Sequence, residues 1–234
     1  MTSKINFTIK NNIGSITLNN PEKSNALDVE MRDTLIKTYL DFDKDPTVKI
    51  IILNGNGKNF CAGADLNHMK KMSTVSYDEN LQDAKKLAEL FYTIYSCEKP
   101  TICFAHGKTI GGGLGLLAAS DIAIAAPDAG FCFSEVKIGL IPAVISPFVT
   151  QRIGYQAAKY EMMTAELFDA QKALKIGLID KVDQDAMGFA EIMLANSQHA
   201  MQEIKAWLNK LKPITQEQVN QAAELLASIR AANR

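Results

Sequence analysis

The sequence predicts an α/β fold, and three observations carry that reading. Short apolar runs of the kind buried in a parallel sheet recur at Ile50-Ile51-Ile52-Leu53, Thr101-Ile102-Cys103-Phe104 and Ile122-Ala123-Ile124-Ala125. Segments with helical spacing of apolar residues stand between them. A chain of 234 residues is long enough to enclose the sizeable core that such alternation implies.

The elements follow in order. Ile5 to Lys10 and Ser15 to Leu18 flank Asn11-Asn12-Ile13-Gly14, a hairpin signal. Asp28 is the expected N-cap of a helix with Met31, Leu35, Tyr39 and Phe42 on one face, which Pro46 ends. A long amphipathic helix spans about Tyr77 to Cys97, with Leu81, Ala84, Ala88, Phe91 and Tyr95 as its stripe and Pro100 as its stop. A glycine run opens the next helix, Gly112 to Ser120. Ser146-Pro147 reads as N-cap and first residue of another. Asp169 caps Ala170 to Ile176, and Gly177 stops it. Beyond residue 187 the chain reads as helical throughout: Ile192 to Leu211, a break at Pro213, then Thr215 to Ala232, where Thr215 and Gln218 match a capping box. Residues 1–186 thus form the core and 187–234 a C-terminal helical region.

Composition excludes several classes. Hydrophobic residues at 47% and charged residues at 22% are ordinary globular values and argue against disorder. A net charge of −1, with scattered basic residues, offers nucleic acid no electrostatic footprint. No apolar run approaches the roughly 18 residues of a membrane span, and the N-terminus lacks a signal region, so a cytoplasmic protein is expected. Cys61, Cys97, Cys103 and Cys132 lack zinc spacing and read as reduced core residues. His68, His106 and His199 are far apart, and no metal site is expected.

Chemistry concentrates in two places. Ile110-Gly111-Gly112-Gly113-Leu114-Gly115 lets a backbone approach another object closely, and its N–H groups at a helix start face negative charge. Glu135 then stands alone among Phe131, Phe133, Val136 and Ile138. Fixed donors beside a carboxylate in an apolar wall are the parts needed to stabilise an enolate and move a proton.

Four separated motifs together resemble the enoyl-CoA hydratase/isomerase (crotonase) superfamily. They are Leu18-Asn19-Asn20-Pro21-Glu22-Lys23-Ser24-Asn25-Ala26-Leu27, Asn59-Phe60-Cys61-Ala62-Gly63-Ala64-Asp65-Leu66, His106-Gly107 through Gly111-Gly112-Gly113 to Ser120-Asp121, and Phe133-Ser134-Glu135-Val136 through Gly139-Leu140-Ile141-Pro142. A weaker match runs from Ala173 to Val182. The resemblance implies a crotonase-like spiral of ββα units with a C-terminal helical trimerisation region, packed as a homotrimer or dimer of trimers. It implies an acyl-CoA substrate; the charge balance and the missing apolar span imply no nucleic-acid or membrane partner, and nothing in the sequence suggests a cofactor beyond the CoA of the substrate. Carried over by position, the backbone N–H groups of Ala64 and Gly112 form an oxyanion hole and Glu135 is the acid/base. Ser24, Ala26, Ala62, Asp65, Leu66, Gly111 and Gly115 fall at substrate-binding positions.

Two departures shape the expectation. Classical hydratases carry a second glutamate where this chain has Gly115, so Glu135 is the single acid supplied by the motifs. The segment Ser134 to Phe148 looks like bacterial 3-methylglutaconyl-CoA hydratases of leucine degradation, in which a glycine at this place leaves room for a distal carboxylate. Family chains usually continue further past Ile229-Arg230, often with a basic tail over CoA, whereas this one stops at Arg234. The expected activity is hydration of a short 2-enoyl-CoA, first of all 3-methylglutaconyl-CoA to 3-hydroxy-3-methylglutaryl-CoA. The alternatives are Δ3,Δ2-enoyl-CoA isomerisation and a catalytically degenerate acyl-CoA-binding subunit. Asp65 is expected to cap a helix, His106 to be structural, and His68, Lys70 and Lys71 either to meet CoA phosphates or to lie on a solvated helix face.

Overall fold

The computed structural model describes residues 3–72, 74–211 and 213–232, with Leu66 by its backbone alone. Strands β1 (Ile5–Lys10) and β2 (Ile13–Leu18) form the expected hairpin, with Lys10 opposite Ile13. The turn is only Asn11-Asn12, both left-handed at φ 51° and 63°, the conformation whose twist matches paired strands. Gly14 therefore lies within β2. A Cβ there would stand 2.5 Å from the Phe42 ring, so the glycine serves close packing rather than the turn.

The chain continues through α1 (Val29–Lys44), β3 (Ile50–Gly55), α2 (Leu66–Met72), α3 (Tyr77–Ser96), β4 (Thr101–Ala105), β5 (Lys108–Ile110) and α4 (Gly112–Ala119). Next come β6 (Ile122–Ala125), β7 (Gly130–Cys132), α5 (Ser146–Thr164), β8 (Phe168–Asp169), α6 (Ala170–Lys175) and β9 (Lys181–Val182). Helices α7 (Ala186–Leu194), α8 (Gln198–Leu211) and α9 (Gln216–Ala232) close the chain.

The main sheet has the order β1-β2-β3-β4-β6-β9 and is parallel from β2 onward. Both of its faces are covered, which explains the unbroken apolar run of β3. Ile51 and Leu53 join the main core, whereas Ile50 and Ile52 meet Ile102, Ile124 and the α7 residues Ala186 and Ala190. A second sheet, β5-β7-β8, carries the site. Helix α9 lies along α3 and puts Val219, Ala223, Leu226 and Ala227 into the main core.

The expected caps hold at three helices. Asp28 accepts from Met31 N at 3.0 Å, Asp169 from Lys172 N at 2.8 Å, and Thr215 with Gln218 forms the capping box. Two expectations change. The helix expected over Ile192 to Leu211 is two helices, because the chain turns at residues 195–197 and Ser197 Oγ takes the Ala200 N–H to start α8. Ser146 is not an N-cap: a 3-10 turn, Ala143–Ile145, runs directly into α5, and the Ser146 hydroxyl donates back to the Ala143 carbonyl. Among the described residues, no helix is long and apolar enough to cross a membrane.

Candidate active site

Strand register brings the four motifs to one level. Cys61 bridges Thr109 in the parallel sense, and Ile110 stands opposite Cys132 in the parallel β5–β7 pair. Ile110 N donates to Cys61 O at 2.9 Å, and Gly111 N to Cys132 O at 3.0 Å. Just beyond these pairings the motifs meet: Gly63 and Ala64 abut Gly112, and Gly111 abuts the Glu135 carboxyl. The first motif lies alongside as well, with Leu27 N bonded to Gly63 O and Leu27 O accepting from Asp65 N. Asn25 locks it there. Wholly buried, its amide donates to the carbonyls of Asn56, Asn59 and Phe60 and accepts from Asn20 N.

Two amides, those of Ala64 and Gly112, lie close together here. Each follows a glycine in the left-handed region, Gly63 at φ 90° before Ala64 and Gly111 at φ 49° before Gly112. A Cβ on Gly63 would lie 2.9 Å from the Ile110 carbonyl oxygen, and one on Gly111 only 3.0 Å from Glu135 Oε1. The two donors are neighbours: a Cβ on Gly112 would be 3.8 Å from Ala64 N. Neither N–H donates to another described residue.

Glu135 opens a 3-10 helix, Glu135–Ile138, that Gly139 ends at φ 73°. Buried Phe133 anchors the approach, and Leu140 N returns to Glu135 O at 3.0 Å. Among the described residues Oε2 of this carboxyl is buried with no partner. Burial pushes its pKa up to about 7, against a weaker pull from its own backbone N–H. Ala64, Gly112 and Glu135 line one cavity of about 90 Å³ together with Leu27, Leu87, Val144, Leu226 and Arg230. Among the described residues Glu135 is the sole acidic one in that wall.

The other sequence candidates divide. Ala62 and Gly111 line the cavity as well. Ser24, Ala26 and Asp65 do not, and they belong to the segments that hold it. The Ser24 carbonyl accepts from Ala62 N at 2.9 Å. Asp65 caps α2 by accepting from Asn67 N and His68 N, and it pairs with Lys23 at 3.1 Å. The His68 N–H, with help from Lys23, holds its carboxyl below the usual range. The side chain of Leu66 lies outside the described residues.

Gly115 requires a correction. It offers a substrate no room, because a Cβ there would lie 2.4 Å from Ile145 Cγ2 and 2.7 Å from the Phe91 ring. It is buried and absent from the cavity wall. The residue is glycine because α4 packs directly on α3 and on the turn before α5. Gly115→Ala is accordingly expected to overpack this contact and cost about 1–3 kcal/mol, read as a lowered urea midpoint.

His68 is also not on a solvated face: its Nε2 lies 2.9 Å from Asp83 Oδ1. His106 is structural as expected, with Nε2 2.9 Å from the Gly57 carbonyl and its ring stacked on Phe104. Sequence reading missed Leu87, Leu226 and Arg230, which reach the cavity from α3 and α9. One signal was available for Arg230. It continues the stripe Val219, Ala223, Leu226 at helical spacing, where an apolar residue is the rule. Among the described residues no group of His, Cys, Asp and Glu is arranged to hold a metal ion.

Comparison with known proteins agrees with this geometry. The family model described as enoyl-CoA hydratase/isomerase matches residues 8–233. The structure of an enoyl-CoA hydratase from Shewanella pealeana superposes with a TM-score of 0.86 at 41% identity, covering 97% of this chain and 88% of that one. An enoyl-CoA hydratase of Alternaria alternata is 33% identical over 84% of this chain and 65% of its own length. The peroxisomal Δ(3,5)-Δ(2,4)-dienoyl-CoA isomerase of Arabidopsis thaliana is 30% identical over 87% of this chain and 79% of its own. The fold, the motifs and the matched length agree: this chain belongs to the enoyl-CoA hydratase/isomerase family.

Proposed function

We propose that the chain hydrates a short 2-enoyl-CoA thioester, with 3-methylglutaconyl-CoA to 3-hydroxy-3-methylglutaryl-CoA as the reaction to test first. One observation carries the reading: two unspent amides and one partner-starved carboxyl line the same apolar cavity. The N–H groups of Ala64 and Gly112 bond the thioester oxygen and draw electron density from the β-carbon. Ionised Glu135 takes a proton from water as its oxygen bonds to that carbon, and the C=C electrons move into an enolate held by the two amides. Collapse of the enolate delivers its α-carbon a proton, from Glu135 itself or from water. A carboxyl near pH 7 suits both halves of that exchange, since it gains and loses the proton at comparable cost. The step draws on no group beyond the substrate's own CoA thioester.

Δ3,Δ2-Isomerisation is the second reading, favoured by Glu135 being the sole acid in the wall among the described residues, because one carboxylate suffices to carry a proton between two carbons. Turnover of a 2-enoyl-CoA in ¹⁸O-labelled water separates the two. Hydration puts the label on the β-carbon, whereas a shifted double bond without label assigns isomerisation. CoA-ester binding without turnover assigns a degenerate binding subunit.

The same reading assembles the chain as a homotrimer or dimer of trimers. Ile204, Trp207, Leu208 and Leu211 of α8, each between 56% and 62% exposed, give such an interface its apolar face. Four free, buried cysteines suit a reducing, cytoplasmic setting, and burial pushes the Cys61 thiol up to about 12.

A further inference from the structure

We infer that Arg230 is the specificity residue of the acyl cavity and that it recognises a carboxylate at the far end of the acyl chain. The inference rests on the acyl-CoA reading above and names the class of acyl group. Arg230 is 4% exposed, lies on α9 and lines the cavity that also holds Ala64, Gly112 and Glu135. It is the only cationic residue in that wall among the described residues.

The surroundings leave its charge under-compensated. Asp83 on α3 is the carboxylate it meets, with Nη1 3.1 Å from Oδ2. That same carboxylate also bonds Arg32 Nη1 at 2.8 Å and His68 Nε2 at 2.9 Å. Two guanidinium groups thus share one buried carboxylate, all three side chains being less than a tenth exposed. Asp33 pairs with Arg32 Nε at 2.9 Å and is 55% exposed, where water screens it. Arg230 keeps donors unspent: among the described residues the buried Nε has no partner, while Nη1 is shared between Asp83 and Asn80.

A buried guanidinium with an idle N–H costs stability unless something else recommends it. An acyl chain ending in a carboxylate supplies what is missing, a second anion for two cations and an acceptor for the fork. The apolar residues Leu87 and Leu226 stand one helical turn from Asp83 and Arg230 on α3 and α9, so the same wall offers methylenes a dry path to the charge. An uncharged acyl chain of the same length leaves the guanidinium desolvated and unmatched, and is rejected on that ground.

The test compares 3-methylglutaryl-CoA with isovaleryl-CoA, saturated esters that differ in the terminal carboxylate and undergo no hydration, by calorimetry on the intact protein. The acid ester is expected to bind about tenfold tighter or more. In Arg230→Met the ratio of the two dissociation constants collapses toward one, and Arg230→Lys restores part of it. Equal affinities in the wild type overturn the inference, a readout that needs no variant to fold. Equal weakening of both esters in a folded Arg230→Met also overturns it, because the arginine would then serve the CoA phosphates or the fold. Preference for the acid without hydration leaves Arg230 in its role and removes the hydratase reading. Hydration of uncharged enoyl esters with no preference does the reverse.

Discussion

Glu135→Gln is expected to lower turnover on a 2-enoyl-CoA by about 10²–10⁴-fold while leaving the fold and acyl-CoA binding in place. The amide fills the same space next to Gly111 but cannot accept a proton from water. The wild-type pH profile carries the same signature. Glu135 must be ionised to act as a base, and burial pushes its pKa from 4.5 up to about 7. Activity should therefore rise tenfold per pH unit below about 7 and level off above it.

Stability moves the opposite way. Between pH 4.5 and about 7 the folded chain keeps a proton on Glu135 that the unfolded chain has released. A raised folded pKa means the folded state is favoured below the unfolded value and loses that advantage as pH rises through the folded one. Glu135→Gln removes the burden, so at pH 8 the variant should be more stable than wild type by up to about 2–3 kcal/mol. Near pH 4 the two should coincide. Urea denaturation at both pH values checks this together with turnover. An active Glu135→Gln enzyme, or equal stability of the two at pH 8, removes Glu135 as a buried base.

The sequence was most legible where one residue's local chemistry decides the structure. Asp28, Asp169 and Thr215 cap helices because their side chains reach a backbone N–H within three residues, whatever the rest of the chain does. The run Ile50 to Leu53 was readable because a strand covered on both faces cannot afford a polar residue. Strands β5, β7, β8 and β9 escaped, being two or three residues long and defined by partners far along the chain. The division between α7 and α8 escaped because Ala195-Asn196-Ser197 carries neither glycine nor proline.

The site shows the same boundary. Ala64, Gly112 and Glu135 sit in contiguous motifs, so position alone names them. Gly115 also sits in a motif, yet its reason is a contact with Phe91 and Ile145 that no local pattern encodes. Arg230 and Asp83 meet across 147 positions, and only the packing of α9 on α3 makes them a pair.

Gly111→Ala should cost kcat about 10²–10³-fold, the usual price of one lost oxyanion donor. Gly111 holds φ 49° and ψ −116°, a combination closed to side chains, and it sets the direction of the next N–H, that of Gly112. Relief of the strain rotates the 111–112 peptide and swings the donor off the thioester oxygen. The new Cβ also presses on Glu135 Oε1 at 3.0 Å, so donor and base are displaced together. Backbone strain alone must be separated from this effect, and Gly177 provides the control. It has φ 79°, lies after α6 away from the cavity, and a Cβ there would meet only the Arg152 carbonyl at 3.7 Å. Gly177→Ala should lower the melting temperature through the same left-handed penalty, about 1 kcal/mol, with kcat unchanged. Steady-state kinetics and thermal unfolding on both variants decide the matter. Comparable kcat losses at 111 and 177 would reduce the glycine run to a packing device, whereas a loss confined to 111 ties the rate to where one amide hydrogen points.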